Sequence, residues 1–295
     1  MIDMFVSKTL TVSLAVQGGE REYLLRLPAL SVPRRDAVVI ELHGSGLCAE
    51  RQLRTSGLHG LAYHEGVIIA APQAVMPLHL LDGWPAGTAW NIPGVPLVNQ
   101  RDVSKTGPDE QAFILALLDD LLTRFVPPKA LVFLVGYSGG ARLASYLAHT
   151  LPGRFAAIAT VSGLRNPCVE PIGILPPIIA FHGRKDPINP FDGGVGPRWN
   201  ASVLDTANTL AQLRGCPASI SVTENCIGGT RIIFRDLHRR TQLVQYVLDE
   251  GNHGWPGSRD PEHVGMFGAV SASVDASQRI WDFFATIYDR PTLVS

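Results

Sequence analysis

The sequence predicts an α/β protein with a doubly wound, mostly parallel sheet, folded as a single domain over residues 1–295. Two observations predict this fold. Nearly continuous apolar stretches of strand length recur along the chain, and stretches with apolar residues at three- and four-residue steps lie between them. Continuous apolar strands are typical of a parallel sheet that helices cover on both faces. With 295 residues, 46% of them hydrophobic, the chain can bury the core of one such domain.

The predicted elements follow in order along the chain. An opening hairpin is expected within residues 1–30, because residues 9–16 and 22–27 alternate apolar and polar side chains around Gly18 and Gly19. Buried strands are predicted at 38–42, 67–71, 131–135, 156–161, 177–181 and 243–248. Helices are predicted at 109–125, 141–150, 203–213 and 273–288. The segment 77–107, rich in Pro, Gly, Trp and Asn, is expected to be a long irregular loop at the active site.

Composition excludes several classes of function. The formal net charge is −1, from 25 basic and 26 acidic residues mixed along the chain, so neither nucleic acid nor an anionic membrane is an expected partner. A small, roughly neutral substrate is expected instead. No apolar run approaches the roughly 20 residues that span a bilayer. Residues 1–16 alternate like a strand rather than a signal peptide, so we expect a cytoplasmic protein or a secreted one whose leader has been removed. The oligomeric state is not readable from the sequence.

The four cysteines do not form a metal or redox motif, because no pair has CxxC spacing. No metal site is therefore predicted. Cys216 and Cys226 flank a predicted turn, and two interpretations stay open: a disulfide in an oxidising compartment, or two reduced thiols.

A Gly-x-Ser-x-Gly motif lies at the end of the strand predicted at 131–135. Gly136 and Gly140 flank Ser138, and a segment of small residues with helical character follows. A strand that turns sharply into a helix leaves no room for side chains beside the turn, and it pushes the serine hydroxyl out of the sheet. The motif therefore predicts a nucleophile elbow with Ser138 as the nucleophile.

A serine nucleophile needs a base and an acid, and on this architecture the chain order is Ser, then Asp or Glu, then His. Asp186 and His253 each follow a predicted buried strand and complete that order. Asp192 and Asp249 are alternative acids, since both also lie in loops of this region. Two further histidines, His43 and His182, directly follow strands and are expected to orient loops.

Two backbone N–H groups are needed to stabilise the oxyanion of the tetrahedral intermediate. Gly139, which follows the nucleophile, is expected to supply the first. The loop His43-Gly44-Ser45-Gly46 ends the third predicted strand, and we expect Ser45 to supply the second, with Gly46 as the alternative.

Together these motifs resemble the polyhydroxybutyrate depolymerase and feruloyl esterase group of α/β-hydrolases. The resemblance runs in order from about residue 37 to residue 257. The motifs that carry it are Leu42-His43-Gly44, Gly136-Tyr137-Ser138-Gly139-Gly140, Pro152-Gly153-Arg154-Phe155-Ala156-Ala157, Val161-Ser162-Gly163, His182-Gly183 with Asp186, and Gly251-Asn252-His253-Gly254-Trp255-Pro256-Gly257. The resemblance implies the α/β-hydrolase fold, a triad of Ser138, Asp186 and His253, and ester hydrolysis through an acyl-enzyme with no metal or organic cofactor.

The expected function is that of a serine esterase acting on a small or polymeric ester, of aryl (feruloyl) or short acyl (hydroxyalkanoate) type. An acyltransferase that uses the same acyl-enzyme is the alternative, and a non-catalytic binding protein on a hydrolase fold is a further one. Aromatic side chains are expected to line the substrate site: Trp84 and Trp90 in the long loop, Tyr137 beside the nucleophile, and Trp255 two residues after the base.

Overall fold

The structure is a computed structural model that describes residues 9–79, 86–97, 107–194, 196–267 and 274–289. Within these residues the chain forms strands and helices in alternation. The strands are β1 (Thr9–Val16), β2 (Gly19–Arg26), β3 (Ala37–Leu42), β4 (Ile68–Pro72), β5 (Met76–Leu78), β6 (Gly87–Ala89), β7 (Leu131–Tyr137), β8 (Ala157–Val161), β9 (Ile178–Gly183), β10 (Val222–Cys226), β11 (Gly229–Arg235) and β12 (Thr241–Leu248). The helices are α1 (Ala49–Ser56), α2 (His59–Glu65), α3 (Glu110–Arg124), α4 (Gly139–Thr150), α5 (Val203–Leu213), α6 (Pro261–Phe267) and α7 (Ala276–Tyr288), with a 3₁₀ turn at Ala218–Ile220.

Ten of these strands form one sheet in the order β1-β2-β4-β3-β7-β8-β9-β12-β11-β10. The six central strands, from β4 to β12, are parallel to one another. At one end β1 and β2 add an antiparallel hairpin, and at the other end β11 and β10 do the same. The carboxyl ends of β7, β9 and β12 therefore meet at one edge of the sheet, and loops at such an edge carry the ligand sites of open parallel sheets.

Apolar side chains cover both faces of the sheet. Along β3, for example, Val38 and Ile40 face one core cluster and Val39 faces the other. Helices α3, α4 and α5 pack on the first face, and α1 and α7 pack on the second. This two-sided burial is the physical reason why the central strands have continuous rather than alternating apolar sequences.

Helices α3, α5 and α7 begin at side chains that cap their free N–H groups. Asp109 accepts a hydrogen bond from the Ala112 N–H at the start of α3, and Asp275 accepts one from the Gln278 N–H at the start of α7. Ser202 caps α5 in the same way. Such caps satisfy donors that have no partner inside the helix.

The predicted fold class is confirmed: the chain forms one mostly parallel sheet with helices on both faces. The predicted strands and helices of the central sheet are all present, with ends shifted by a few residues. Sequence reasoning missed α1, α2, α6 and the strands β10 and β11. Within segment 77–107, the irregular loop that was predicted contains part of a two-stranded sheet of β5 and β6, and residues 80–85 and 98–106 lie outside the described part.

The cysteines of the structure are free thiols. Cys216 lies in the core cluster that α3, α4 and α5 cover, whereas Cys226 packs against the cluster on the opposite face of the sheet. Of the two interpretations, the structure therefore has the reduced one.

Candidate active site

Ser138 lies at the turn between β7 and α4. Its backbone has φ 51° and ψ −108°, a conformation that non-glycine residues rarely adopt. The turn is held from the neighbouring strand, because the Ser138 N–H donates a 2.8 Å hydrogen bond to the Val161 carbonyl at the end of β8. A strained backbone held by its surroundings is typical of a nucleophile elbow.

The glycines of the motif allow backbone segments to approach each other at this turn. A Cβ atom on Gly136 would lie 2.3 Å from the carbonyl oxygen of Gly140, and one on Gly140 would lie 2.2 Å from that of Leu42. Backbone atoms at such distances cannot move aside for a side chain. The Gly-x-Ser-x-Gly pattern is therefore a packing requirement of this strand–helix junction.

The structure brings Ser138, His253 and Asp186 into one hydrogen-bonded chain. The Ser138 hydroxyl lies 2.9 Å from His253 Nε2, and His253 Nδ1 lies 2.7 Å from Asp186 Oδ2. Because a carboxylate only accepts, Nδ1–H donates to Asp186, which leaves Nε2 free to accept the serine proton. All three side chains are buried, and Ser138 is 6% exposed. The three loops that follow β7, β9 and β12 supply these residues.

The loop after β9 holds the Asp186 carboxylate through its second oxygen. Oδ1 accepts the backbone N–H groups of Ile188 and Asn189, each at 2.8 Å. Burial by itself raises the pKa of Asp186, but its hydrogen bonds and the neighbouring His253 and His182 outweigh burial, and the pKa lies below its usual value. Asp186 is therefore an anion at neutral pH.

The two alternative acids lie elsewhere. Asp249 forms an exposed ion pair with Arg184, at 3.0 Å between Oδ1 and Nε, and Asp192 is exposed in the following loop. Of the three aspartates, Asp186 is the one that contacts His253.

Sequence reasoning missed Asn189, which links the loop after β9 to helix α4. The Asn189 amide donates to the Ser162 carbonyl at 2.7 Å, and its side-chain oxygen accepts from the Arg142 guanidinium at 3.2 Å. Arg142 lies one helical turn after Ser138 and donates its own N–H to the Ser138 carbonyl. The spacings Ser138 to Arg142 and Asp186 to Asn189 are visible in the sequence, but only the fold shows that they meet.

His182 and His43 hold loops, as expected. The His182 ring donates from Nε2 to the Asn189 carbonyl at 2.8 Å, and burial lowers its pKa. His43 donates from Nδ1 to the Gly44 carbonyl at 2.8 Å and accepts the Ala74 N–H at Nε2. Burial lowers the pKa of His43 to about 4, so this ring is neutral and fixes the loop between β3 and α1.

That loop brings Ser45 next to the nucleophile elbow. A Cβ atom on Gly139 would lie 2.3 Å from the Ser45 hydroxyl oxygen and 3.0 Å from the Ser45 nitrogen, so the two residues are in close contact. The N–H of Gly46, the alternative donor, is already bound to the Thr88 carbonyl at 2.8 Å. Gly139 also begins α4, whose N-terminal N–H groups favour negative charge nearby.

Three of the four aromatic side chains expected to line the substrate site are instead buried in the core. Trp255 is 0% exposed, packs in the core cluster covered by α1 and α7, and donates from its indole to Ser277. Trp90 is 2% exposed and donates to the His43 carbonyl at 2.8 Å. Tyr137 is also buried, with its hydroxyl on the His253 carbonyl at 3.1 Å. These side chains support the loops of the site from within the core, and Trp84 lies outside the described residues.

His263 on α6 is a second buried residue that sequence reasoning missed. Its Nε2 accepts the Trp255 N–H at 2.7 Å, and its ring packs against those of Tyr137 and Phe267. Burial lowers its pKa to about 3, so the ring stays neutral. A neutral His263 acceptor fixes the backbone two residues after His253.

Two features are absent from the described part of the chain. No group of three or more His, Cys, Asp or Glu side chains is arranged to hold a metal ion. No helix in the described ranges is both long and apolar enough to cross a membrane.

Comparison with known proteins shows what the chain resembles. No family model matches it. It is 28% identical over 294 residues to a protein named "Putative esterase NocK" from Nocardia uniformis subsp. tsuyamanensis, covering 91% of this chain and 80% of that protein. It is also 28% identical over 186 residues to feruloyl esterase C from Emericella nidulans, covering 61% of this chain and 59% of that enzyme.

Solved structures give the same fold at lower identity. Acetyl xylan esterase from Aspergillus awamori superposes with a TM-score of 0.60 at 15% identity, covering 88% of this chain and 99% of that one. S-formylglutathione hydrolase from Agrobacterium tumefaciens gives a TM-score of 0.58 at 11% identity, covering 96% of this chain and 94% of that one. The chain therefore has the fold of the α/β-hydrolases, and its sequence is similar to those of an esterase and of a feruloyl esterase.

Proposed function

We propose that this protein is a serine esterase that hydrolyses a carboxylic ester, of aryl or short acyl type, through an acyl-enzyme. The observation that carries the proposal is the hydrogen-bonded chain from Ser138 through His253 to Asp186. Sequence similarity to esterases and to feruloyl esterase C supports ester chemistry.

The proposed first step is attack on the ester carbonyl. The Ser138 hydroxyl bonds to the carbonyl carbon while His253 Nε2 takes its proton. The imidazolium then gives that proton to the departing alcohol, which leaves an acyl-serine. Asp186 keeps the Nδ1 proton in place and stabilises the positive charge that His253 gains.

The proposed second step is hydrolysis of the acyl-serine. Water attacks the acyl carbon and gives a proton to His253. The imidazolium then returns that proton to the Ser138 oxygen as its bond to the acyl carbon breaks, and the acid leaves. In both steps the carbonyl oxygen becomes an anion, and the backbone N–H groups of Ser45 and Gly139 are the proposed donors to it.

The test uses p-nitrophenyl butyrate as substrate and a fluorophosphonate as an active-site label. We expect Ser138→Ala to lower kcat by several orders of magnitude and to abolish labelling, with the melting temperature little changed. Ser162→Ala is the matched control, because Ser162 also has a positive φ, of 53°, at the end of a buried strand. Labelling of another serine, or full activity of Ser138→Ala, would refute the proposal.

A further inference from the structure

Three arginines lie around the loop that carries Asp186. Arg142 is on α4, Arg165 follows β8, and Arg198 lies between β9 and α5. Arg142 and Arg165 are 3% and 5% exposed, and Arg198 is partly exposed. Their positive charges act on one another: burial and then repulsion from the other two arginines lower the pKa of Arg142 well below its usual value.

The described residues compensate this charge poorly. Arg142 has the Asn189 side-chain oxygen as its hydrogen-bond acceptor, and Arg165 has the backbone carbonyls of Pro197 and Arg198. The Nε groups of Arg142 and Arg165 are buried with no partner. Asp186 is the carboxylate whose charge acts on Arg142 and Arg198. Its oxygens are already bound to His253 and to the N–H groups of Ile188 and Asn189.

The backbone segment that carries Arg198 is held next to the loop that carries Asp186. Arg165 binds the carbonyls of Pro197 and Arg198, which fixes the backbone on one side. On the other side the Trp199 indole donates to the Pro190 carbonyl at 2.8 Å and stacks on His182, with ring centroids 5.6 Å apart. The backbone from which the Arg198 side chain extends is therefore fixed on both sides, which lowers the entropy lost when this arginine binds a carboxylate.

We infer that Arg142, Arg165 and Arg198 form an anion subsite, and that the preferred ester carries a carboxylate group in addition to the ester bond. This inference rests on the proposed esterase function. Arg198, the partly exposed member, contacts the carboxylate, while buried Arg142 and Arg165 add charge and Arg165 also holds the backbone of Arg198. Buried charge without a counter-ion is costly, so an anionic substrate group is stabilised here more than in water. The near-zero net charge of the chain predicted a roughly neutral substrate, but the local charge at this site favours an anion.

Two esters with one leaving group test the inference: p-nitrophenyl butyrate, which is neutral, and mono-p-nitrophenyl glutarate, which is an anion. We expect kcat/KM for the glutarate ester to exceed that for the butyrate ester about tenfold, after correction for their rates with hydroxide. Raising the ionic strength from about 0.02 M to about 0.5 M should reduce this preference. Equal kcat/KM values for the two esters would overturn the inference.

Variants locate the subsite. Arg198→Gln should bring the ratio of the two kcat/KM values close to one, and Arg198→Lys, which keeps the charge, should retain part of the preference. Arg184→Gln is the matched control, since Arg184 is a nearby arginine whose charge is paired with Asp249, and it should keep the full preference. A preference that survives in a folded Arg198→Gln protein would overturn the assignment. If that variant does not fold, the assignment is decided by the ratio of the two kcat/KM values for Arg198→Lys and by the effect of ionic strength on the preference.

The failure of this inference differs from the failure of the proposed function. Cleavage of both esters at equal rates, with Ser138 labelled, would refute the anion subsite and leave the esterase function standing. Cleavage of neither ester, with no label on Ser138, would refute both.

Discussion

Glu41 offers a quantitative test of the buried charges in this structure. Its side chain lies fully buried on β3, where one carboxyl oxygen accepts the Ser56 hydroxyl at 2.7 Å and the other has no partner. Burial raises the pKa of Glu41 from 4.5 to about 7. Glu41→Gln is the perturbation of choice, because glutamine has nearly the shape of the protonated acid and carries no charge.

The expected effect follows from the difference in pKa between the folded and unfolded chains. The folded protein binds the Glu41 proton more tightly, so the stability due to this group is fully present below about pH 4.5 and is lost as the pH rises towards 7. Each unit of pKa difference corresponds to about 1.4 kcal/mol. We therefore expect the free energy of unfolding of the wild-type protein to fall, relative to that of Glu41→Gln, by about 3 kcal/mol at pH 8 and by less than about 1 kcal/mol at pH 5.

The assay is urea unfolding of both proteins at pH 5 and pH 8. The free energy of unfolding of Glu41→Gln minus that of the wild type should grow between the two pH values by about 2 kcal/mol. Glu50→Gln is the control, because Glu50 is an exposed carboxylate on the adjacent α1. The free energy of unfolding of Glu50→Gln minus that of the wild type should be the same at the two pH values. A Glu41→Gln difference that does not change with pH would show that Glu41 is ionised in the folded protein throughout this range, against the reasoning from burial.

Three further predictions concern the site. Asn189→Ala keeps the backbone N–H to Asp186 but removes the side-chain link to Arg142, so kcat should fall about tenfold with Ser138 still labelled; unchanged kinetics with a lower melting temperature would make Asn189 purely structural. Trp255→Ala should cost about 3–5 kcal/mol in urea unfolding, as for other buried large aromatic residues, and an unchanged free energy of unfolding would contradict its core position. Gly140→Ala should abolish fluorophosphonate labelling, because the new Cβ meets the Leu42 carbonyl, whereas Gly60→Ala, where space is open, should label normally.

The sequence predicted the central sheet and the residues that meet at its edge for one physical reason. Strands buried on both faces have continuous apolar sequences, and β7, β9 and β12 are such strands. The residues that directly follow them must lie at the same edge of the sheet. Ser138, Asp186 and His253 could therefore be proposed as neighbours before any coordinates were known.

Other features depend on tertiary packing that local sequence does not record. Helix α1 buries Gln52, Thr55 and Ser56, so its inward face is too polar to show a helical apolar pattern. Strand β10 is half exposed at the sheet edge and has a weak alternation. The position of Trp255 two residues after His253 predicted a side chain that lines the substrate site. In the structure Ser277 of α7 binds the indole and His263 of α6 binds the Trp255 N–H, and nothing near residue 255 in the sequence indicates these contacts.

The separation of the catalytic residues along the chain has a consequence for biosynthesis. The proposed nucleophile and the proposed base are 115 residues apart, and the base follows β12, which joins the central sheet by parallel pairing with β9 and carries β11 on its other side. Such non-local pairing is a late event, because a long segment must first be made and closed. While the ribosome is still translating the region after α4, the emerging serine has no imidazole beside it. On the proposed mechanism, ester cleavage begins only when β12 is in place, so a chain that still lacks β12 carries no reactive serine.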